Sequence, residues 1–216
     1  MEILLKLADI LLHVDKYLSF IIQSFGLWSY AVLFVVIFAE TGFVVTPFLP
    51  GDSLLFAVGA FSAIGDFDPV LVTLTVSAAA IIGDTVNYWI GYIVGPKVFH
   101  GDGSRFFKKE YLIRTHEFYE KHGGKTIFLA RYIPIIRTFA PFVAGIGRMS
   151  YLHFITYNIV GGITWPVIFI SAGYFFGNIP LVKQYFSLVI VVIVILSVIP
   201  IAFEVIRNRR NRAKNQ

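Results

Sequence analysis

The sequence predicts an all-α polytopic membrane protein in which spanning helices alternate with helices broken at membrane depth. Three observations predict it. Of the 216 residues, 57% are hydrophobic and 14% charged, against about 25% charged in a soluble domain. Apolar stretches long enough to cross a bilayer alternate with stretches that proline and glycine interrupt. Inside the interrupted stretches lie four ionisable residues, Glu40, Asp52, Arg131 and Arg137. Each costs about 2.5–3.5 kcal/mol at the bilayer centre, and charges that expensive mark a pathway or binding site. Irregular backbone at that depth is tolerated only where protein or a wet cavity surrounds it.

The elements follow in chain order. Residues 1–26 show a helical period. Leu4, Leu7, Leu11, Val14, Leu18, Ile21 and Phe25 share one face, with Glu2, Lys6, Asp9, His13 and Lys16 opposite. That pattern predicts an amphipathic helix lying in the membrane interface, with a helix packed against the bundle, polar stripe outward, as the alternative; its charges break the apolar core that a cleavable signal would need. A membrane domain is expected over 27–206 and a basic tail over 207–216. Within the domain, Trp28–Thr46 leads into the break at Pro47, Pro50 and Gly51. Ser53–Ile64 is too short to cross, because a span needs about 20 residues. Val70–Val94 can span and is expected to stop at Gly95-Pro96. The stretch 126–149 is interrupted by Pro134 and Pro141. Tyr151–Phe176 and Leu181–Ile206 can both span.

Charge sets the topology. The net charge is +5, concentrated in the segment 97–125 (Lys97, Arg105, Lys108, Lys109, Arg114, Lys121, Lys125) and in the tail (Arg207, Arg209, Arg210, Arg212, Lys214). Both are expected to be cytoplasmic. The basic balance thus orients the chain and calls for no nucleic-acid partner. An even number of crossings must separate loop and tail, yet three apolar stretches lie between them. One must therefore enter and leave on the same side, and 126–149, with its arginines and prolines, is the candidate. The same reasoning makes 28–64 a helix, a break and a returning half-helix. A short internal repeat, Gly91-Tyr92-Ile93-Val94-Gly95 against Gly173-Tyr174-Phe175-Phe176-Gly177, ends two spans of opposite direction. That is an inverted repeat, the arrangement of many secondary transporters.

Arg131 and Arg137 are the candidate substrate-binding residues, since a guanidinium stays charged and its fork matches a phosphate or carboxylate. With Pro134 between them, both could turn toward one ligand. Glu40 and Asp52 are the candidate proton-coupling carboxylates. The competing reading is structural: ion pairs with the arginines, and for Asp52 an N-cap. Asp84 and Asn87 are secondary candidates, equally suited to hydrogen bonding between helices. Asn158 and Trp165 read as polar glue and packing. The five histidines show no metal spacing, and cysteine is absent, so neither a metal nor another cofactor is expected.

Three pieces carry a family resemblance: Glu40-Thr41-Gly42 with Pro47-Phe48-Leu49-Pro50-Gly51-Asp52-Ser53; Gly83-Asp84 with Tyr88-Trp89-Ile90-Gly91; and Phe128-Leu129-Ala130-Arg131-Tyr132-Ile133-Pro134-Ile135-Ile136-Arg137-Thr138-Phe139-Ala140-Pro141. Over residues 25–200 the chain resembles the DedA family of bacterial membrane proteins, which shares its core domain with eukaryotic lipid scramblases. The resemblance implies two re-entrant hairpins facing each other. It implies that Glu40, Asp52, Arg131 and Arg137 match the family's essential charged residues. It also implies envelope maintenance, dependence on proton motive force, and recycling of lipid phosphates such as undecaprenyl phosphate or a phospholipid.

The function expected is therefore lipid transport in the bacterial inner membrane, with lipids and protons as partners, the C-terminus cytoplasmic and a homo-oligomer left open. An enzyme is not expected, because no nucleophile with a nearby base can be assembled. A proton-coupled antiporter of a small cation or solute is the first alternative, and a membrane-embedded lipid enzyme the second.

Overall fold

The structure, a computed structural model, describes residues 20, 22–43, 51–99, 123–185, 188, 189 and 192. Most of the N-terminal amphipathic helix, the break residues Pro47 and Pro50, most of the basic loop, most of the last apolar stretch and the tail lie outside the described residues. Among the described residues every regular element is a helix: α1 Leu27–Gly42, α2 Gly51–Ala63, α3 Pro69–Phe99, α4 at 123–130, α5 Pro134–Ile146, α6 Tyr151–Gly177 and the short α7 Pro180–Gln184.

Among the described residues, two helices are long and apolar enough to cross a bilayer. Pro69–Gly95 and Tyr151–Gly177 have 27 residues each, about 40 Å at 1.5 Å per residue against a hydrocarbon core of about 30 Å. Only part of each helix is spent on a core. Val70, Leu74, Ile93, Leu152 and Phe175 are exposed, as a lipid-facing helix requires and a soluble one avoids. The remaining apolar helices are short: α1 has 16 residues, α2 and α5 have 13 each.

The chain divides into two compact units. The first contains Met1–Ser29, Pro50–Leu71 and Phe169–Gln216. Here Asp68 starts α3: its carboxylate accepts from the backbone N–H groups of Val70 and Leu71 at 2.9 and 2.8 Å, with Pro69 in the first helical position, where its missing N–H costs nothing. Gln23 donates to Asp66 at 2.8 Å. The half-helix α2 packs without side chains between backbones. A Cβ on Gly59 would meet the carbonyl of Ile170, one on Gly173 that of Phe56, and one on Gly177 the backbone of Ala60.

The second unit contains Tyr30–Leu49 and Val72–Ile168. Helices α3 and α6 run antiparallel: Tyr88 stacks on Phe154 with centroids 4.5 Å apart, and Asn158 donates to the Ile81 carbonyl at 3.0 Å. Segment α4 follows α6, with Gly124 on Tyr157, Arg131 on Gly161 and the Tyr132 hydroxyl 3.0 Å from that of Thr164. The chain then turns over 131–133, and α5 runs back beside α3. A Cβ on Gly91 would meet Phe142 backbone, one on Gly145 the Tyr88 carbonyl, and one on Gly95 would crowd Ile146. The two GYxxG sequences thus have the same task in their respective units. Each lets a long helix touch a half-helix backbone to backbone, at equivalent spacings.

Three expectations need correction. Helix α3 does not stop at Gly95-Pro96 but continues to Phe99. Helix α5 runs through Pro141, which is no break; the ring only withholds the N–H that the Arg137 carbonyl would otherwise receive within the helix. Asp52 lies inside the first turn of α2, which begins at Gly51, rather than at the N-cap. Its charge still faces the positive end of the helix dipole.

Candidate functional site

In the second unit, glycine determines how close the backbones come, and that closeness puts charged residues in contact. The end of α1 lies on α3 at Gly42 and Gly83, where a Cβ on Gly83 would strike the Thr41 side chain. This brings Glu40, 1% exposed, to Arg137, 7% exposed, and the two form an ion pair. The Arg137 guanidinium also lies over the ring of the fully buried Trp165, 4.9 Å from its centroid, a contact that strengthens when desolvated.

Arg131 has a different set of partners. It pairs with Asp84 of α3 and donates to the Asn158 Oδ1 of α6 at 2.7 Å. Gly161 makes room for it, since a Cβ there would sit 3.1 Å from the Arg131 Nε. Asn158 is held in turn by donating to the Ile81 carbonyl and, at 3.3 Å, to the Thr85 hydroxyl. Asn87, one helical turn after Asp84, donates to the carbonyls of Thr41 at 3.1 Å and Thr138 at 2.7 Å. It thereby ties the end of α1, whose last carbonyls lack helical donors, to the second turn of α5.

The sequence paired the arginines with Glu40 and Asp52 in its structural reading. The structure pairs Arg137 with Glu40 and Arg131 with Asp84, so Asp84 is a principal member of the site. Arg131 and Arg137 each hold their own acid, and Asp84 feels the charge of both. Pro134 opens α5 at its first position, and the turn before it separates the arginines onto two elements. Gly51 is the buried first residue of α2, and Asp52 belongs to the first unit. The sequence reads Asn158 and Trp165 as glue and packing. A helical signal was available: Asn158, Gly161 and Trp165 fall at i, i+3 and i+7, one face of α6.

Two acids facing two arginines leave the group formally neutral. A buried pair stripped of one partner costs about 3–5 kcal/mol, so the site holds its charges only as pairs. An anion can be admitted if it replaces a carboxylate on an arginine, or if a carboxylate first takes a proton. Among the described residues no cluster of His, Cys, Asp and Glu has the makings of a metal site.

The family model described as the VTT domain matches residues 49–175. The chain is 50% identical to protein DedA of Escherichia coli K12 over 216 residues, 99% of each chain. It is 43% identical to an uncharacterized membrane protein of Mycobacterium tuberculosis H37Rv, covering 86% of this chain and 85% of that one. It is 31% identical to the inner membrane protein YqjA of E. coli K12, covering 81% and 79%. No solved structure matches. With exposed apolar spans, a family match over more than half its length and a relative matched end to end, this chain is a membrane protein of the VTT-domain, or DedA, family.

Proposed function

We propose that this protein translocates a lipid phosphate, such as undecaprenyl phosphate or a phospholipid, across the bacterial inner membrane, and that protonation of Glu40 and Asp52 couples the movement to the proton gradient. The observation that carries the reading is the pair of buried arginines, each neutralised by its own carboxylate. A headgroup phosphate can take a carboxylate's place on the guanidinium fork, while its tail stays in lipid. Protonating Glu40 removes the competing anion from Arg137 and leaves that arginine ready for phosphate.

The reading includes two re-entrant hairpins related as an inverted repeat, with 97–125 and the tail cytoplasmic. Two contact series support it for 126–149: α4 advances along α6, then α5 returns along α3 as far as Ile146 beside Gly95. The matched glycine contacts of α2 with α6 and of α5 with α3 support the repeat. The inner-membrane location has support in the name of a relative, the inner membrane protein YqjA. None of the relatives named above bears the name of an enzyme, in keeping with transport.

The test is flux of a labelled lipid phosphate in proteoliposomes containing this protein alone, with and without an imposed pH gradient. The expected result is flux that the gradient alters in wild type and that Glu40→Gln and Asp52→Asn uncouple. Absence of lipid flux, together with proton release driven by an added small cation, would replace the reading with that of an antiporter.

A further inference from the structure

At the end of the second unit that lies beside Gly95, α5 turns into α6 through Gly147, Arg148 and Met149. Arg148 has φ +51°, a left-handed conformation that glycine adopts freely and a long side chain rarely does. The turn is held there. The N–H of Arg148 donates to the Gly145 carbonyl at 3.0 Å, that of Met149 to Ala144 at 3.1 Å, and the Tyr88 hydroxyl to the Met149 carbonyl at 2.5 Å. The fixed backbone lays the Arg148 guanidinium on the ring of Tyr92, 5.4 Å from its centroid. Trp89 packs against both Tyr92 and Tyr151 at 5.4 and 5.5 Å. All three rings remain partly open, at 43%, 36% and 39% exposure, and Arg148 is exposed as well.

We infer that Arg148, Tyr92, Trp89 and Tyr151 form a binding site for the phosphate headgroup of an anionic membrane lipid at the bilayer surface. Stacking uses the face of a guanidinium and leaves its edge, the N–H fork, free to grip a phosphate. Among the described residues the partner of this guanidinium is a ring and not a carboxylate, so its positive edge matches an anion. Tryptophan and tyrosine settle at headgroup depth; Tyr92 carries the arginine, and Trp89 and Tyr151 extend the cluster from it near the end of a spanning helix. Ile93, exposed on the next turn of α3, offers a surface for the acyl chains. The buried pairs described above are not involved, and the site stands whether or not the protein transports lipid.

The experiment uses the whole protein with Trp28→Phe, which leaves Trp89 as the exposed indole and Trp165 buried. Nanodiscs of phosphatidylcholine carry a minor fraction of brominated phosphatidylglycerol or, in the control, brominated phosphatidylcholine. The expected result is stronger quenching by the anionic lipid, from an enrichment of about fivefold beside one basic side chain. Arg148→Gly should abolish the difference, and it suits the left-handed backbone, so misfolding does not explain a loss. Arg148→Lys should retain part of it. Equal quenching by the two lipids in the wild-type sequence, or an unchanged difference in Arg148→Gly, would reduce the cluster to an aromatic belt and overturn the inference.

Discussion

Arg131 of the turn after α4 is bound from two sides, by Asp84 of α3 as an ion pair and by Asn158 of α6 at 2.7 Å. Three elements therefore meet on one guanidinium, while Arg137 is shared between an acid and an aromatic face. Asp84→Asn should consequently lower stability by about 3–5 kcal/mol, the cost of a buried charge left alone. Adding Arg131→Gln should recover most of that loss. Thermal unfolding of the single and double variants in detergent measures the coupling, and simple additivity would show the pair contributes nothing as a pair.

Lysine at either arginine keeps the charge and loses the planar fork. Arg131→Lys and Arg137→Lys should both insert and fold. Each should lose lipid-phosphate flux by about tenfold or more, since one charge-assisted hydrogen bond contributes about 1.5–3 kcal/mol and 1.4 kcal/mol is a factor of ten. Arg137→Lys should also give up its stacking on Trp165. Full flux in either variant would assign that arginine to charge balance alone.

The membrane class, the spans 70–94 and 151–176 and the interruption before Pro134 were legible because length, hydropathy and proline act locally. Glu40 and both arginines were legible because an embedded charge is costly wherever it sits. Which acid meets which arginine was not, since that depends on which helices touch. Gly83 and Gly161 decide it by letting α1 and Arg131 come close, and a glycine in a span does not announce its neighbour. Pro96 and Pro141 misled in the opposite way. Each removes one donor, yet the surrounding helix continues, so a proline alone did not reveal which sites break.

The glycine contacts make a prediction about both units. Gly91 meets Phe142 and Gly173 meets Phe56 through backbone atoms that cannot rotate away. Gly91→Ala and Gly173→Ala should each destabilise by about 1–3 kcal/mol, as overpacking does, and by similar amounts. Unfolding midpoints of the two variants in one detergent provide the comparison. A large loss at one position and none at the other would dissolve the correspondence that supports an internal repeat.

Topology provides the last and most direct prediction. If 126–149 enters and leaves on one side, its two ends must share a compartment with the basic loop. Ser150 is exposed, immediately after the turn at Gly147 and Arg148, and is a better reporter than the buried Gly147. The chain has no cysteine, so Gly103→Cys, Ser150→Cys and Gln216→Cys each introduce a single thiol. All three should react with an impermeant maleimide only when the cytoplasmic face is presented, as in inverted vesicles. Labelling should be absent in intact spheroplasts. A continuous helix from 126 to 149 would place Ser150 about 35 Å from the loop at 1.5 Å per residue, on the far side of the membrane. Labelling of Ser150→Cys from outside, with Gly103→Cys protected, would therefore show a crossing and remove the hairpin on which the transport mechanism depends.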